Sequence, residues 1–147
     1  GGGGGGPGRG GAAPRGAPRF SPAPPRGLGG WGAARLRMAQ INGCLFCQDW
    51  RTERDGVKVP DGFEDDVTDW AATDAFDDRT RLAAEYAERF TTDHHGLDQA
   101  FWDRMLAAYT QAEVVELSMC LGSWIAFGRL NHVLGIDTIC TLPGHPA

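Results

Sequence analysis

Acidic side chains are missing from the first third of this chain, because no Asp or Glu occurs before Asp49. Residues 49–147 carry all 19 acidic residues and only 8 of the lysines and arginines. The folded domain is therefore expected to be acidic, which argues against nucleic-acid binding by that domain. The basic N-terminal region is interpreted as a passive tail.

Long apolar runs are also missing. The longest uncharged run in the last predicted helix, residues 117–128, has 12 residues, and a transmembrane helix needs about 20. No apolar segment follows the early arginines, as one would in a secretory signal. We predict a cytoplasmic protein without a membrane partner.

Cysteine is scarce, with 4 residues in a chain of 147. That is too few for a disulfide-rich scaffold. In a reducing compartment, a C-x-x-C pair is more typical of catalysis or metal binding than of a permanent crosslink.

Glycine and proline are concentrated at the N-terminus. Residues 1–30 contain 13 glycines, 6 prolines and 4 arginines, and such a segment buries too little apolar surface to offset the entropy of ordering. We predict a disordered tail over residues 1–30, one domain over residues 31–137 and a C-terminal tail over residues 138–147.

Helical periodicity and caps cover the domain, and no strand pattern emerges. We predict an all-α compact bundle of about six helices. The first predicted helix covers residues 31–42, with Arg35 and Arg37 facing outward, and the second covers residues 44–54, anchored by Leu45 and Trp50. A short third helix is capped by Asp61, the fourth runs from Asp77 or Asp78 to Thr92, and the fifth is capped by Asp98. The last helix, residues 111–134, lies between a Thr110 capping box and Gly135.

The segment Asn42-Gly43-Cys44-Leu45-Phe46-Cys47 carries the chemistry. Gly43 can adopt the left-handed conformation that ends one helix, which places Cys44 at the start of the next. Unpaired backbone N–H groups at a helix start favour thiolate over thiol. The pair can form a small disulfide ring or bind a soft ion.

The same segment, extended to residues 35–47 (RLRMAQINGCLFC), resembles the signature of the carboxymuconolactone decarboxylase and alkyl hydroperoxidase D superfamily. Residues 116–117 and 128–135 look like the last long helix of that family, so the likeness covers residues 31–137. The resemblance implies an alkyl hydroperoxidase D-like helical fold. Further helices normally lie upstream in the family, and we expect residues 1–30 to reflect a truncated gene or a misread frame.

The resemblance implies a thiol-based antioxidant peroxidase. Cys47 would attack the hydroperoxide as a thiolate and Cys44 would resolve the sulfenic acid to a disulfide. A dithiol reductant of the thioredoxin or lipoamide type would restore the pair. No cofactor or metal is implied. Family members form trimers and hexamers, and the mostly apolar helix 111–134 independently predicts a homo-oligomer.

Two positions depart from the hydroperoxidase pattern. The family's proton relay uses a Glu about 12 residues before the first cysteine and a His four residues after the second, where this chain has Gly32 and Arg51. Arg51 cannot act as a base, so we predict that it stabilises the thiolate from the same face of a continuous helix. His132 is the candidate replacement base, if the last helix passes the site.

Two other functions remain open. The first is a decarboxylase or isomerase of a small lactone acid, although the lactone decarboxylases of the superfamily do not need a C-x-x-C pair. The second is a non-catalytic structural or metal-binding module. A metal site would need two ligands besides Cys44 and Cys47, and the other cysteines, Cys120 and Cys140, form no second C-x-x-C. Outside such a site, we expect Cys120 to be a buried thiol of the core.

Overall fold

The computed structural model of the protein describes residue 1 and residues 28–50, 53–54 and 57–136. This part of the chain contains six α-helices, which confirms the all-α bundle. The helices are α1 (Leu28–Asn42), α2 (Leu45–Asp49), α3 (Phe63–Thr68), α4 (Asp78–Thr92), α5 (Gln99–Ala108) and α6 (Gln111–Val133). The segment His94–Gly96 forms a 3-10 turn between α4 and α5.

A minimal antiparallel ladder joins β1 (Glu53–Arg54) to β2 (Val57–Lys58). The sequence does not predict it, because two residues per strand are too few for an alternating pattern to be detected.

Three of the predicted helix caps are confirmed. Asp77, Asp98 and Thr110 each accept a hydrogen bond from the backbone N–H three residues later. Glu113 completes the capping box by accepting from the Thr110 N–H at 2.8 Å. At the other end of α6, Gly135 has φ 66° and ends the helix as expected.

Three predicted boundaries are wrong. Helix α1 begins at Leu28, not at Trp31. Helix α2 ends at Asp49, because Trp50 adopts an extended conformation with ψ 98°. Gly62, with φ 82° and no side-chain cap, precedes α3 in place of Asp61.

Helix α1 is the central element of the bundle. It packs along α4 and also contacts α2, α3 and α6. Two clusters of buried side chains lie around the α1 and α4 pair, and their members are Ala34, Met38, Leu82, Ala83, Tyr86, Ala87, Phe101, Met105, Tyr109, Val114, Leu117 and Leu121 in the first, and Ala33, Leu36, Phe63, Val67, Phe76 and Ala84 in the second. The small alanines on both helices let them approach closely.

Arg37 connects these two central helices. Its guanidinium lies 2.7 Å from the carboxylate of Glu88, which also accepts a hydrogen bond from the Trp70 indole at 2.7 Å. The predicted outward orientation of Arg37 is therefore wrong, since α4 covers this side of α1. Among the described residues, no helix combines the length and the apolar character needed to cross a membrane.

The cap of α4 makes a pH-dependent prediction. Hydrogen bonds from the Thr80 side chain and backbone hold the pKa of Asp77 below its usual value. A carboxyl whose pKa is lower in the folded state contributes stability above its unfolded pKa of about 3.9, and this stability is lost as the pH falls through the folded pKa.

We expect Asp77→Ala to lower the free energy of unfolding by about 1 kcal/mol at pH 7. The difference from the parent should shrink as the pH falls below about 4 and through the lowered folded-state pKa, because the cap then becomes protonated in the parent too. Urea unfolding at pH 7 and at a pH below the folded-state pKa of Asp77 measures the difference between variant and parent. Asp74→Ala, on an exposed residue just upstream, should change neither value, and an equal loss from Asp77→Ala at both pH values would contradict the prediction.

Candidate active site

The turn between α1 and α2 presents the cysteine pair. Gly43 has φ 66°, and the Cys44 N–H donates back to the Ala39 carbonyl at 3.1 Å, which closes the end of α1. Cys44 is then the N-cap of α2, and its sulfur accepts a hydrogen bond from the Cys47 N–H at 3.3 Å. The predicted left-handed glycine and the helix restart at Cys44 are both confirmed.

Cys44 and Cys47 are joined by a disulfide bond, with Cα atoms 5.2 Å apart. Cys44 is fully buried, whereas Cys47 is half-buried. A reagent from solution therefore reaches the sulfur of Cys47 more readily than that of Cys44. The pairing agrees with the predicted redox pair, and its reversibility stays a prediction.

Cys47 opens onto a cavity of about 190 Å³ between α1, α2 and α6. An engineered apolar cavity of about 150 Å³ accepts benzene, so this space is large enough for a small organic molecule. Its lining is mainly apolar and aromatic, and consists of Arg35, Met38, Ala39, Asn42, Phe46, Cys47, Trp50, Trp124, Phe127 and Gly128.

Arg35 is half-buried in the cavity wall, so its predicted outward orientation is wrong. Its guanidinium donates to the carbonyls of Cys47 and Trp50, each at 2.6 Å. Burial lowers the pKa of Arg35, but an arginine pKa starts so high that the side chain stays charged near neutral pH. The cavity therefore has a fixed positive charge beside Cys47.

Asn42 contacts α6 where both line the cavity. The Asn42 side-chain N–H donates to the Trp124 carbonyl at 3.2 Å. A Cβ atom at Gly128 would lie only 2.5 Å from the Asn42 amide nitrogen. The absence of a side chain at Gly128 is therefore what lets α6 approach α1 here.

The structure brings together only part of the predicted site. Cys47 lines the cavity and is bonded to Cys44, whereas His132 is exposed on the last turn of α6 and is not among the lining residues. Arg51 and Cys140 lie outside the described residues. The continuous helix assumed for Arg51 is wrong, since α2 ends before it. Cys120 is half-buried on α6, so its predicted place in the core is only partly met.

The sequence reasoning missed Arg35, Trp124 and Gly128 as site residues. Arg35 is nine positions before Cys44 in a helix that looks two-sided, and no spacing rule connects it to the carbonyls of α2. Trp124 and Gly128 lie about eighty residues from the cysteines and look like ordinary helix positions. Leu45 and Trp50, expected as anchors of α2, are instead 66% and 61% exposed.

The described residues contain no cluster of three His, Cys, Asp or Glu side chains that could hold a metal ion.

Comparison with known proteins gives one curated relative, the Uncharacterized protein YnjA of Escherichia coli (strain K12). It is 30% identical over 112 residues, which cover 73% of this chain and 60% of that protein. The chain thus spans less than two thirds of the length of this relative. No family model and no solved structure matches the chain.

The close approach at Gly128 makes a prediction about helix packing. Gly128→Ala should lower the free energy of unfolding by about 1 to 3 kcal/mol, because the new methyl group collides with the Asn42 amide. Gly122→Ala is the matched control on the same helix, since nothing lies within 4 Å of its Cβ position. It should be neutral or stabilising by up to about 1 kcal/mol.

Urea unfolding measures the free energy of unfolding of both variants. Repeating it at two protein concentrations shows whether association between chains contributes to the values. Adding Asn42→Ala to Gly128→Ala should recover part of the loss, because it removes the colliding amide. Equal effects of the two glycine substitutions would contradict the proposed collision.

Proposed function

We propose that this protein is a thiol–disulfide oxidoreductase that reduces a hydroperoxide with Cys47 and Cys44. The observation that carries the proposal is a bonded cysteine pair whose more exposed member, Cys47, lines a cavity large enough for a small organic molecule. A permanent structural crosslink would need no such cavity, and it would constrain only a four-residue loop, for which the entropic gain is small.

The proposed reaction has three balanced steps. The Cys47 thiolate attacks the terminal peroxide oxygen, the O–O bond breaks, and the departing alkoxide takes up a proton to leave as an alcohol. The Cys44 thiol then attacks the resulting Cys47 sulfenic acid, which forms the disulfide and releases water. A dithiol reductant finally reduces the disulfide and is itself oxidised to a disulfide.

The assignment of roles to the two cysteines rests on their burial. Cys44 is fully buried and Cys47 borders the cavity, so Cys47 is the sulfur that a peroxide can reach. Attack by an external dithiol follows the same route and leaves Cys44 as the departing thiolate. The hydrogen bond from the Cys47 N–H to the Cys44 sulfur would stabilise that negative charge.

We further propose that the protein acts as a homo-oligomer, a trimer or hexamer as in the resembled family. One side of α6 carries Val115, Met119, Leu130 and Val133, each at least half exposed. We call these four residues the α6 apolar face. No charged residue occurs on α6 between Glu116 and Arg129, and charge depletion with exposed apolar side chains is typical of an interface core.

Peroxide titration of cysteine variants tests the catalytic proposal. The reduced parent has four thiols, and we expect about one equivalent of an organic hydroperoxide to leave two, since each turnover oxidises one pair. Cys47→Ser should lose the reaction, whereas Cys44→Ser should stop at a sulfenic acid on Cys47 that dimedone traps. Cys120→Ser is the matched control and should behave like the parent.

Retained peroxide consumption by Cys47→Ser would overturn the assignment. Turnover of a muconolactone-type acid by the double Cys44→Ser, Cys47→Ser protein would support the decarboxylase alternative instead.

Light scattering after size exclusion tests the oligomer. The parent should have the molar mass of an oligomer. The double substitution Met119→Glu, Leu130→Glu should give the molar mass of a monomer, because it places charge in the buried centre of the interface. Leu106→Glu, on a half-exposed residue of α5, is the matched control and should leave the assembly unchanged. A monomeric parent at micromolar concentration would refute this part of the proposal.

A further inference from the structure

Helix α2, which carries Cys47, is too short to be stabilised by its own backbone hydrogen bonds. It has five residues, so most of its carbonyls have no donor within the helix. Two of the carbonyls at its end, those of Cys47 and Trp50, accept hydrogen bonds from a single guanidinium, that of Arg35. The planar fork of an arginine suits this double contact, whereas the single ammonium of a lysine does not.

The same guanidinium is the charged group of the cavity. Among the described residues that line the cavity, Arg35 is the one ionisable side chain besides Cys47. The remaining lining groups are aromatic or aliphatic side chains, one glycine and the amide of Asn42. A positive charge beside a thiol favours the anionic form of that thiol.

We propose that Arg35 is a positioning residue of the redox site. It fixes the end of α2 so that Cys47 faces the cavity, and its charge favours the Cys47 thiolate. Arg35 thus has the electrostatic role that the sequence alone assigns to Arg51. The proposal rests on the proposed redox function, but its two main readouts, the thiol pKa and the disulfide potential, do not require peroxide turnover.

The first readout is the pKa of the Cys47 thiol in the reduced protein. It is obtained from the pH dependence of iodoacetamide alkylation, with Cys47 resolved from the other cysteines by peptide mapping. Arg35→Gln should raise this pKa by about one unit, the lower end of the shift of about 1 to 3 units that a nearby opposite charge produces. At a pH below both values, the thiolate fraction then falls about tenfold.

The second readout is the reduction potential of the Cys44–Cys47 disulfide, measured in thiol redox buffers. Loss of thiolate stabilisation favours the disulfide, so Arg35→Gln should make the potential more negative. A tenfold change in the equilibrium constant corresponds to about 30 mV.

Three further variants separate charge and position from general damage to α1. Arg37→Gln is the matched control, because Arg37 lies on the same helix and bonds to Glu88 and Gln40 away from the cavity. It should leave both readouts at the parent values. Arg35→Lys retains the charge without the fork, so its thiol pKa should stay closer to that of the parent than the pKa of Arg35→Gln. Arg35→Met provides the neutral comparison if Arg35→Gln does not fold.

The outcomes distinguish this inference from the function on which it rests. Shifted pKa and potential in the neutral variant, without peroxide consumption by the parent, would support the role of Arg35 and refute the peroxidase. Peroxide consumption by the parent, with both readouts unchanged in the folded neutral variant, would overturn the role of Arg35 and leave the peroxidase standing. An equal shift in Arg37→Gln would also overturn it, since the effect would then belong to α1 as a whole.

Discussion

The close packing of α1 on α4 is the constraint on which the remaining structure depends. Ala33 and Ala34 of α1 are fully buried, and Ala83, Ala84 and Ala87 of α4 belong to the same two clusters. Each alanine buries little apolar area. The stabilisation of the α1–α4 contact therefore comes from its continuity and from the larger residues that flank it. With α1 held in this way, the turn at Gly43 delivers the cysteines to one defined place at the edge of the bundle.

The site adds two contacts to this frame, and both are polar. Arg35 holds the carbonyl end of α2, and Asn42 holds the backbone of α6 at Trp124. Hydrogen bonds to backbone carbonyls fix position with little dependence on the neighbouring side chains. The cavity walls can thus be apolar while the three helices that form them keep a fixed spacing.

Sequence reasoning predicted the elements that depend on local chemistry. Caps such as Asp98 and Thr110, and the left-handed turn at Gly43, are determined by residues within one helical turn, and each lies where the sequence predicts it. The predicted end of α2 is wrong, because no local breaker stands at Asp49; the carbonyls of Cys47 and Trp50 there accept hydrogen bonds from the distant Arg35 guanidinium. The role of Gly128 could not be predicted either, since a glycine inside a helix gives no signal of the side chain that will occupy the space beside it.

The contact between Asn42 and Trp124 spans 82 positions of the chain, which has a consequence for the order of synthesis. A chain is made from its N-terminus, and contacts distant in sequence form late. The cysteine pair is therefore translated well before the helix that forms the opposite wall of its cavity. During that interval Cys47 has the walls that α1 and α2 provide but not the wall that α6 provides, so its cavity is complete only after Trp124 and Gly128 have been made.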